Sequence, residues 1–185
     1  MQLTVSLGAN SVREAIKQLE DYKKSLSSKC ETFVNELAEH GISVAVDNSG
    51  KWKNYLIFTK DVSATAKGVK GYMAGEVGQY PISMWMRYDK VVSTEVNPLL
   101  MAEFGSGAKA SDASGKPNAQ NASKVGAGRG TFPNQTHADE NSWSWMDLTG
   151  EWHSSSGEEP SMPMFNAYLS MKDEVLKIAR QVFAS

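Results

Sequence analysis

Two long segments of the chain carry apolar residues at helical spacing. In the first, from Val12 to Leu37, apolar positions recur every three or four residues, which is the period of one helix face. Ser11 and Glu14 are spaced as a capping box, and Gly41 is a natural helix stop. The pattern predicts one long helix. Its apolar face consists of Val12, Ile16, Leu19, Tyr22, Leu26, Cys30, Phe33 and Leu37.

The second helical segment runs roughly from Met162 to Phe183. Ser161 is placed as its N-cap, and Pro163 lies in the first turn, where a missing amide proton costs little. Two apolar stripes lie side by side, so the apolar face is wider than a helix on a single sheet needs. Either the helix is deeply buried in its own domain, or part of the face contacts a neighbouring subunit. The stripes are Met164, Tyr168, Met171, Val175, Ile178 and Val182, and Phe165, Leu169, Leu176, Ala179 and Phe183.

Shorter apolar runs between the two helices predict strands. Alternation or β-rich composition marks residues 42–46, 55–58, 69–77, 82–92 and 142–152, the last with a bend at 149–150. Residues 99–104 fit either a strand or a helical turn. We therefore expect a single α+β domain over residues 1–185, with a long N-terminal helix and a C-terminal helix packed on a small antiparallel or mixed sheet.

Residues 105–135 interrupt this pattern. Gly, Ala, Ser and Asn supply 19 of the 31 residues, and Val125 and Phe132 are the only large apolar ones. This composition predicts a flexible Gly/Ala/Ser-rich loop, or arm, inserted within the domain. Three of the five tryptophans in the chain follow within ten residues: Trp143, Trp145 and Trp152.

Composition and charge exclude several classes of protein. The 185-residue chain has one cysteine, so it has no internal disulfide framework, and no apolar run approaches the roughly 18 residues that cross a bilayer. Its start lacks the basic and apolar regions of a signal peptide, so we expect synthesis in the cytoplasm and no membrane partner. The net charge of −2 argues against a basic protein that coats nucleic acid.

That net charge is unevenly distributed. Residues 1–104 are balanced, the arm carries +3, and residues 136–185 carry −5. A basic arm and an acidic body attract each other at short range. We expect the arm to lie across the next subunit of a homo-oligomer.

The search for catalytic chemistry is largely negative. The sequence has no Walker A motif, nucleophile elbow, HExxH or CxxC motif, so we expect no enzyme, cofactor or metal. His137 near Asp139 and Glu140 leaves a metal-dependent enzyme as one alternative. His153 has no second ligand at a usable spacing.

The tryptophans have three interpretations: core packing, a protein–protein interface, or a sugar-binding face. Trp143 and Trp145 share one face of a predicted strand. Trp is enriched at binding hot spots, whereas an acidic body is a poor platform for nucleic-acid bases. A carbohydrate-binding module that uses the Trp-rich face is therefore the main alternative to an interface.

Three short segments carry a family resemblance that spans nearly the whole chain in order. They are AEFGSG at 102–107, GRGTFPNQTH at 128–137 before an aromatic strand, and MPMFNA at 162–167 at the start of the last helix. With the long amphipathic first helix, this order resembles the tail-component family of tailed bacteriophages and prophages, which are head–tail joining or tail-completion proteins of the neck. The arm is longer than a compact version of this pattern needs.

The resemblance implies a non-enzymatic structural subunit of the virion. Such subunits form homo-oligomeric rings, expected here to be hexameric, between the capsid connector and the tail tube. The implied partners are further copies of the chain, connector or stopper proteins, tail tube or terminator proteins, and DNA in the channel. We expect the interface to include Arg129, Phe132, Trp143, Trp145, Trp152, Met164, Tyr168 and Met171.

Overall fold

The computed structural model describes residues 9–110, 124, 126–131 and 142–184. Over these residues the expected α+β class is confirmed, with two long helices and small antiparallel and mixed sheets. The helices are α1 (Ala9–Asp47), α2 (Pro98–Phe104) and α3 (Pro163–Ala184), and a 3-10 helix spans Gly50–Tyr55. The strands are β1 (Leu56–Thr65), β2 (Gly68–Val77), β3 (Ile82–Arg87), β4 (Lys90–Glu95), β5 (Ser106–Gly107), β6 (Gly128–Arg129), β7 (Trp143–Met146), β8 (Trp152–Ser155) and β9 (Gly157–Glu158). No helix among the described residues is long and apolar enough to cross a membrane.

The second half of α1 packs antiparallel to α3. The Phe33 and Phe183 rings lie 6.0 Å apart at one end of this contact. His40 Nε2 lies 2.7 Å from Ser170 Oγ in the middle. Asn166 Nδ2 donates to Asn48 Oδ1 at the other end, near the start of α3. The two long helices predicted from apolar spacing thus bury parts of their stripes against each other.

Helix α1 does not stop at Gly41, and the predicted strand at residues 42–46 is wrong, because these residues are helical. A methyl group added at Gly41 would overlap the Sδ of Met171, so this glycine allows α1 and α3 to approach closely. Ala45 is fully buried one turn further on. The burial gained by these last turns outweighs the strand preference of their valines and isoleucine.

An antiparallel hairpin of β1 and β2 covers another side of α1. The strand predicted at 55–58 is confirmed from Leu56 onward as the start of β1, and the strand at 69–77 is confirmed within β2. Gly71 and Gly75 lie on the side of β2 that faces the helices. A methyl group at Gly71 would overlap Cγ1 of Val34, and one at Gly75 would touch the Phe58 ring. These glycines therefore bring the strand against the helix.

The chain also contains a four-stranded sheet in the order β4-β3-β7-β8. The single strand predicted at 82–92 is instead two strands, because Tyr88 and Asp89 adopt φ values of 49° and 60° and reverse the chain. Positive φ at both central residues is the geometry of a type I′ hairpin turn. The strand predicted at 142–152 is likewise a hairpin, with β7 and β8 on either side of its bend.

Helix α2 resolves the ambiguous segment at 99–104 as helical and holds the start of α3. Its Ala102 carbonyl accepts hydrogen bonds from the backbone amides of Ser161 and Met162. The Glu103 carboxylate accepts from the amides of Met164 and Phe165, at 3.0 and 3.2 Å. The predicted N-cap role of Ser161 is therefore wrong, because Glu103 caps α3 from about sixty residues away along the chain.

Candidate assembly surfaces

The three segments that carry the family resemblance meet at one junction. Residues 106–107, from the first segment, form the central strand of a three-stranded sheet, β6-β5-β9. This strand pairs in parallel with Gly128–Arg129 of the second segment. Glu103 and Ala102 hold the first turn of α3, which is the third segment. The junction is buried around Met101, Phe104 and Ala127, so these short motifs have a structural role.

Two described parts of the predicted arm, residues 105–107 and 128–131, belong to this junction. Gly128 donates to the Gly105 carbonyl at 2.7 Å, and Gly107 donates to the Thr131 carbonyl at 2.7 Å. A side chain at Gly157 would overlap the Ser106 carbonyl, so β9 also lies very close to β5. Arg129, a predicted interface residue, is exposed on β6. Phe132 and the candidate ligands His137, Asp139 and Glu140 lie outside the described residues.

The inner face of the four-stranded sheet carries an aromatic stack. The Trp143 and Trp145 rings are stacked 4.8 Å apart, and Trp145 stacks on His153 at 5.4 Å. Trp85, which is 5% exposed, meets Trp143 edge-on at 6.0 Å. The expectation that Trp143 and Trp145 share a face is therefore confirmed. That face points inward, and both side chains are half-buried.

A cavity of about 180 Å³ separates part of this inner face from the junction. Its walls include Trp52, Trp143 and Met101, and Glu158 lies beside it. The Trp52 indole donates to Glu158 Oε1 at 2.6 Å, and Lys51 forms an ion pair with the same carboxylate at 2.9 Å. The polar groups of Glu158 are thus used to join the 3-10 helix to β9.

The β7–β8 turn gathers Asp147, Glu151 and His153, whose ligand atoms lie within 4.8 Å of one another. The prediction that His153 lacks a second ligand is therefore wrong, because the hairpin brings it 2.8 Å from Asp147 Oδ2. Asp147 Oδ1 accepts from the Thr149 amide, the Thr149 hydroxyl and the Glu151 amide. The carboxylate is therefore already engaged in closing the turn.

These hydrogen bonds also act on the ionisation of Asp147. The Thr149 hydroxyl is the largest cause, followed by His153, and together with the backbone amides they hold the Asp147 pKa well below its usual range. The ionised carboxylate is the acceptor that the turn requires. The turn is thus stabilised by a charged group at a partly exposed position.

The outer face of the four-stranded sheet carries an apolar patch beside polar residues such as Ser93 and Glu95, and the side chains of the patch are exposed or half-buried. Register places Val91, Met86, Met146 and Trp152 side by side, one from each strand. Directly opposed residues of antiparallel strands point to the same side of a sheet, and so do Ile82 and Met84 further along β3. Trp152 is 70% exposed and Ile82 is 63% exposed. We call this set the outer sheet face: Ile82, Met84, Met86, Val91, Met146 and Trp152.

The first half of α1 carries a second exposed apolar surface. Every residue from 16 to 28 is exposed, and the apolar positions among them continue the stripe that is packed further along the helix. Their exposed fractions lie between 42% and 51%. No described residue of the chain covers them. We call this set the free stripe: Val12, Ile16, Leu19, Tyr22 and Leu26.

The predicted interface residues of α3 divide between the interior and the surface. Met171 contacts the position of Gly41 on α1, and Met164 contacts Gly75 on β2. Tyr168 is more than half exposed, as is Leu176. Each of the two stripes of α3 is therefore packed within the domain at some positions and exposed at others.

Sequence patterns predicted Trp152 as a surface anchor but missed the rest of the outer sheet face. The signal that could have revealed it is the run Ile82-Ser-Met-Trp-Met86, in which both the odd and the even positions of a strand include large apolar residues. Such a strand is apolar on both faces. Recognising the turn at Tyr88 would have placed Val91 on the same surface.

Comparison of this chain with family models, with curated protein sequences and with solved structures gives no match.

Proposed function

We propose that this protein is a structural subunit of the neck of a tailed bacteriophage, a tail-completion or head–tail joining protein. It assembles with copies of itself into a ring, expected to be hexameric, between the capsid connector and the tail tube. DNA passes through the channel of this ring. The protein acts by binding its neighbours rather than by catalysis.

One observation carries this proposal: two separate apolar surfaces, the free stripe and the outer sheet face, are uncovered by the described residues. Large exposed apolar patches on soluble proteins mark interaction sites. Methionine and tryptophan, which form most of the outer sheet face, are enriched at protein interfaces. The surfaces lie on different elements, as a subunit with a neighbour on each side requires.

The family resemblance supports the location of the assembly. Its three short segments are far apart in sequence, yet they form one buried junction through direct backbone contacts. Other chains that contain the same three motifs would therefore form the same junction and share this fold. The neck, where members of the tail-component family act, is accordingly the location that we propose for the assembly.

Electron microscopy tests the proposal in two steps. The purified protein is first examined by negative staining and light scattering, where we expect rings of several 20.2 kDa subunits. Antibodies against the protein are then applied to phage particles from the cells that produce it, where we expect label at the head–tail junction. A protein that remains monomeric at all concentrations, or label only at the tail tip, would contradict the proposal.

Carbohydrate binding is the alternative proposal. Trp152 is the tryptophan of the cluster with a largely exposed ring, whereas Trp143 and Trp145 are stacked on the inner face. Titration with soluble cell-wall glycans while tryptophan fluorescence is recorded distinguishes the two. Saturable quenching that Trp152→Ala abolishes would favour a carbohydrate-binding module over a neck subunit.

A further inference from the structure

We propose that the free stripe of one subunit docks on the outer sheet face of a second copy of this chain. This inference rests on the proposed self-assembly and names the surfaces that meet. The contact is heterologous, since it joins two different surfaces, and each subunit offers one surface to each neighbour.

The free stripe cannot cover the outer sheet face of its own subunit. Helix α1 is continuous from Ala9 to Asp47 and contains no proline, so its first half cannot fold back without breaking helical hydrogen bonds. The second half is fixed against α3 and the β1–β2 hairpin. The first half therefore extends from the body by about 30 Å at 1.5 Å per residue.

The two surfaces have similar dimensions. The free stripe spans 14 residue steps, or about 21 Å along the helix. The row Val91, Met86, Met146 and Trp152 crosses three strand spacings, or about 14 Å between backbones, and the side chains add to this length. A helix of this length covers the patch in one contact.

The exposed area is close to what a stable interface needs. At the observed exposures, with about 150–250 Å² for an aromatic side chain and about 100 Å² for an aliphatic one, each surface presents on the order of 300 Å² of apolar area. A standard interface buries about 800 Å² per partner, somewhat more than half of it apolar. The two surfaces together thus supply most of the apolar part of one standard interface.

A single heterologous contact accounts for both surfaces. In the alternative, the free stripe would contact the free stripe of a second subunit, and the outer sheet face would contact the outer sheet face of a third. The subunit would then need two different two-fold contacts, and their repetition would produce an open chain or a dihedral assembly. A contact between the free stripe and the outer sheet face uses both surfaces at once. Its repetition around an axis closes into a ring when the rotation allows.

A mixing experiment between two full-length variants tests the docking. Leu19→Asp places a charge in the centre of the free stripe, and Trp152→Asp places one on the outer sheet face. Both residues are exposed, so both variants should keep the far-UV circular dichroism spectrum of the parent. Each variant alone should be a monomer, because each lacks one of the two surfaces. Mixed in equal amounts, they should form a complex of twice the monomer mass and no larger species.

Two control variants place an aspartate at exposed positions outside the free stripe and the outer sheet face. Lys17→Asp lies on the polar side of α1, and Lys70→Asp lies on β2, and both lysines are exposed. Both controls should form rings like the parent protein. Loss of rings in the controls would show that added negative charge alone blocks assembly, and it would overturn the assignment of these surfaces.

The remaining outcomes separate this docking from the proposed function. Folded variants that stay monomeric when mixed would overturn the heterologous contact. Rings that persist in both variants would also overturn it, while label at the phage neck would still support the function. A parent protein without rings and without label at the neck would contradict both. Assembly that appears only after a second phage protein is added would assign the surfaces to that partner instead.

Discussion

The two halves of α1 differ in what lies against them, although their apolar side chains follow one continuous spacing. From Phe33 onward the helix contacts α3 and the β1–β2 hairpin, and Ala38, Gly41 and Ala45 are buried. From residue 16 to residue 28 every side chain is exposed. Periodicity therefore identifies the apolar face of a helix without identifying what covers it.

This difference has a consequence for the stability of the helix itself. A helical segment without a packing partner has little stability of its own in water, because most helical stability in proteins comes from packing. The packed half of α1 receives that packing within the chain, whereas the free half receives none from the described residues. A neighbouring subunit that covers the free stripe would supply the missing stabilisation.

The four-stranded sheet repeats the comparison on a smaller scale. Its inner face buries Trp85 and Thr94 and half-buries the Trp143–Trp145 stack. Its outer face leaves Ile82, Val91 and Trp152 exposed. In both elements an apolar surface that is packed within the chain lies beside one that the described residues leave exposed.

The largest expected effect comes from breaking the packed half of α1. Ala45→Asp places a carboxylate at a fully buried position, and burying an unpaired charge costs several kcal/mol. We expect this variant to unfold, or to melt at least 10 °C below the parent protein. Ala15→Asp makes the same change in the free half and should cost less than about 1 kcal/mol. Thermal melts followed by circular dichroism compare the two, and equal losses would contradict the division of α1.

The next largest effect comes from making the same Trp→Ala substitution on each face of the four-stranded sheet and comparing the losses of stability. Trp85→Ala removes a buried ring and should lower the free energy of unfolding by about 3–5 kcal/mol. Trp152→Ala removes an exposed ring and should change it by no more than about 0.5 kcal/mol. Urea unfolding measures both values. A large loss in Trp152→Ala would mean that Trp152 packs within the subunit.

The sequence was most informative where structure depends on neighbours along the chain. Helical spacing predicted α1 and α3, because an apolar face repeats with the period of its element. It failed at residues 42–46, where Ile, Val and Val suit a strand but the contact with Met171 and the burial of Ala45 favour a helix. It also failed at residues 82–92, where Tyr88 and Asp89 give a weak turn signal.

The candidate surfaces were predictable only in part for the same reason. The residues of the free stripe were identified, but their exposure depends on where α3 ends against α1. The outer sheet face depends on the register between β3 and β7, which are separated by more than fifty residues. The Glu103 cap likewise depends on a contact that no local pattern encodes, whereas the Asp147–His153 pair follows from the local pairing of β7 with β8.

A smaller loss of stability should follow from removing the cap at the start of α3, the helix that packs against the second half of α1. Glu103→Ala leaves the Met164 and Phe165 amides without the carboxylate that accepts their hydrogen bonds. Loss of such a cap costs about 1–2 kcal/mol. Glu159→Ala removes an exposed carboxylate close to the same helix start and should have little effect. If both variants have the same urea midpoint, the cap contributes nothing measurable.

The smallest effect concerns the turn at the end of the sheet, where charge rather than apolar contact stabilises the structure. The Asp147 pKa is lowered in the folded protein, first by the Thr149 hydroxyl and then by His153. The unfolded chain therefore binds a proton at Asp147 more readily than the folded chain. The stabilisation is fully present above the ordinary pKa of an aspartate, near 4, and is lost as the pH falls through the lowered folded value.

Asp147→Asn should remove this pH dependence while keeping a side chain of the same size. At pH 6 the variant should melt below the parent protein, because an amide oxygen is a weaker acceptor for the Thr149 and Glu151 hydrogen bonds. As the pH falls below 4, the melting temperature of the parent should drop more steeply, so the two curves should converge. Asp89→Asn, at the exposed turn of the other hairpin, is the matched control. Parallel curves for Asp147→Asn and the parent would show that Asp147 titrates alike in the folded and unfolded chains, and that the turn does not depend on its charge.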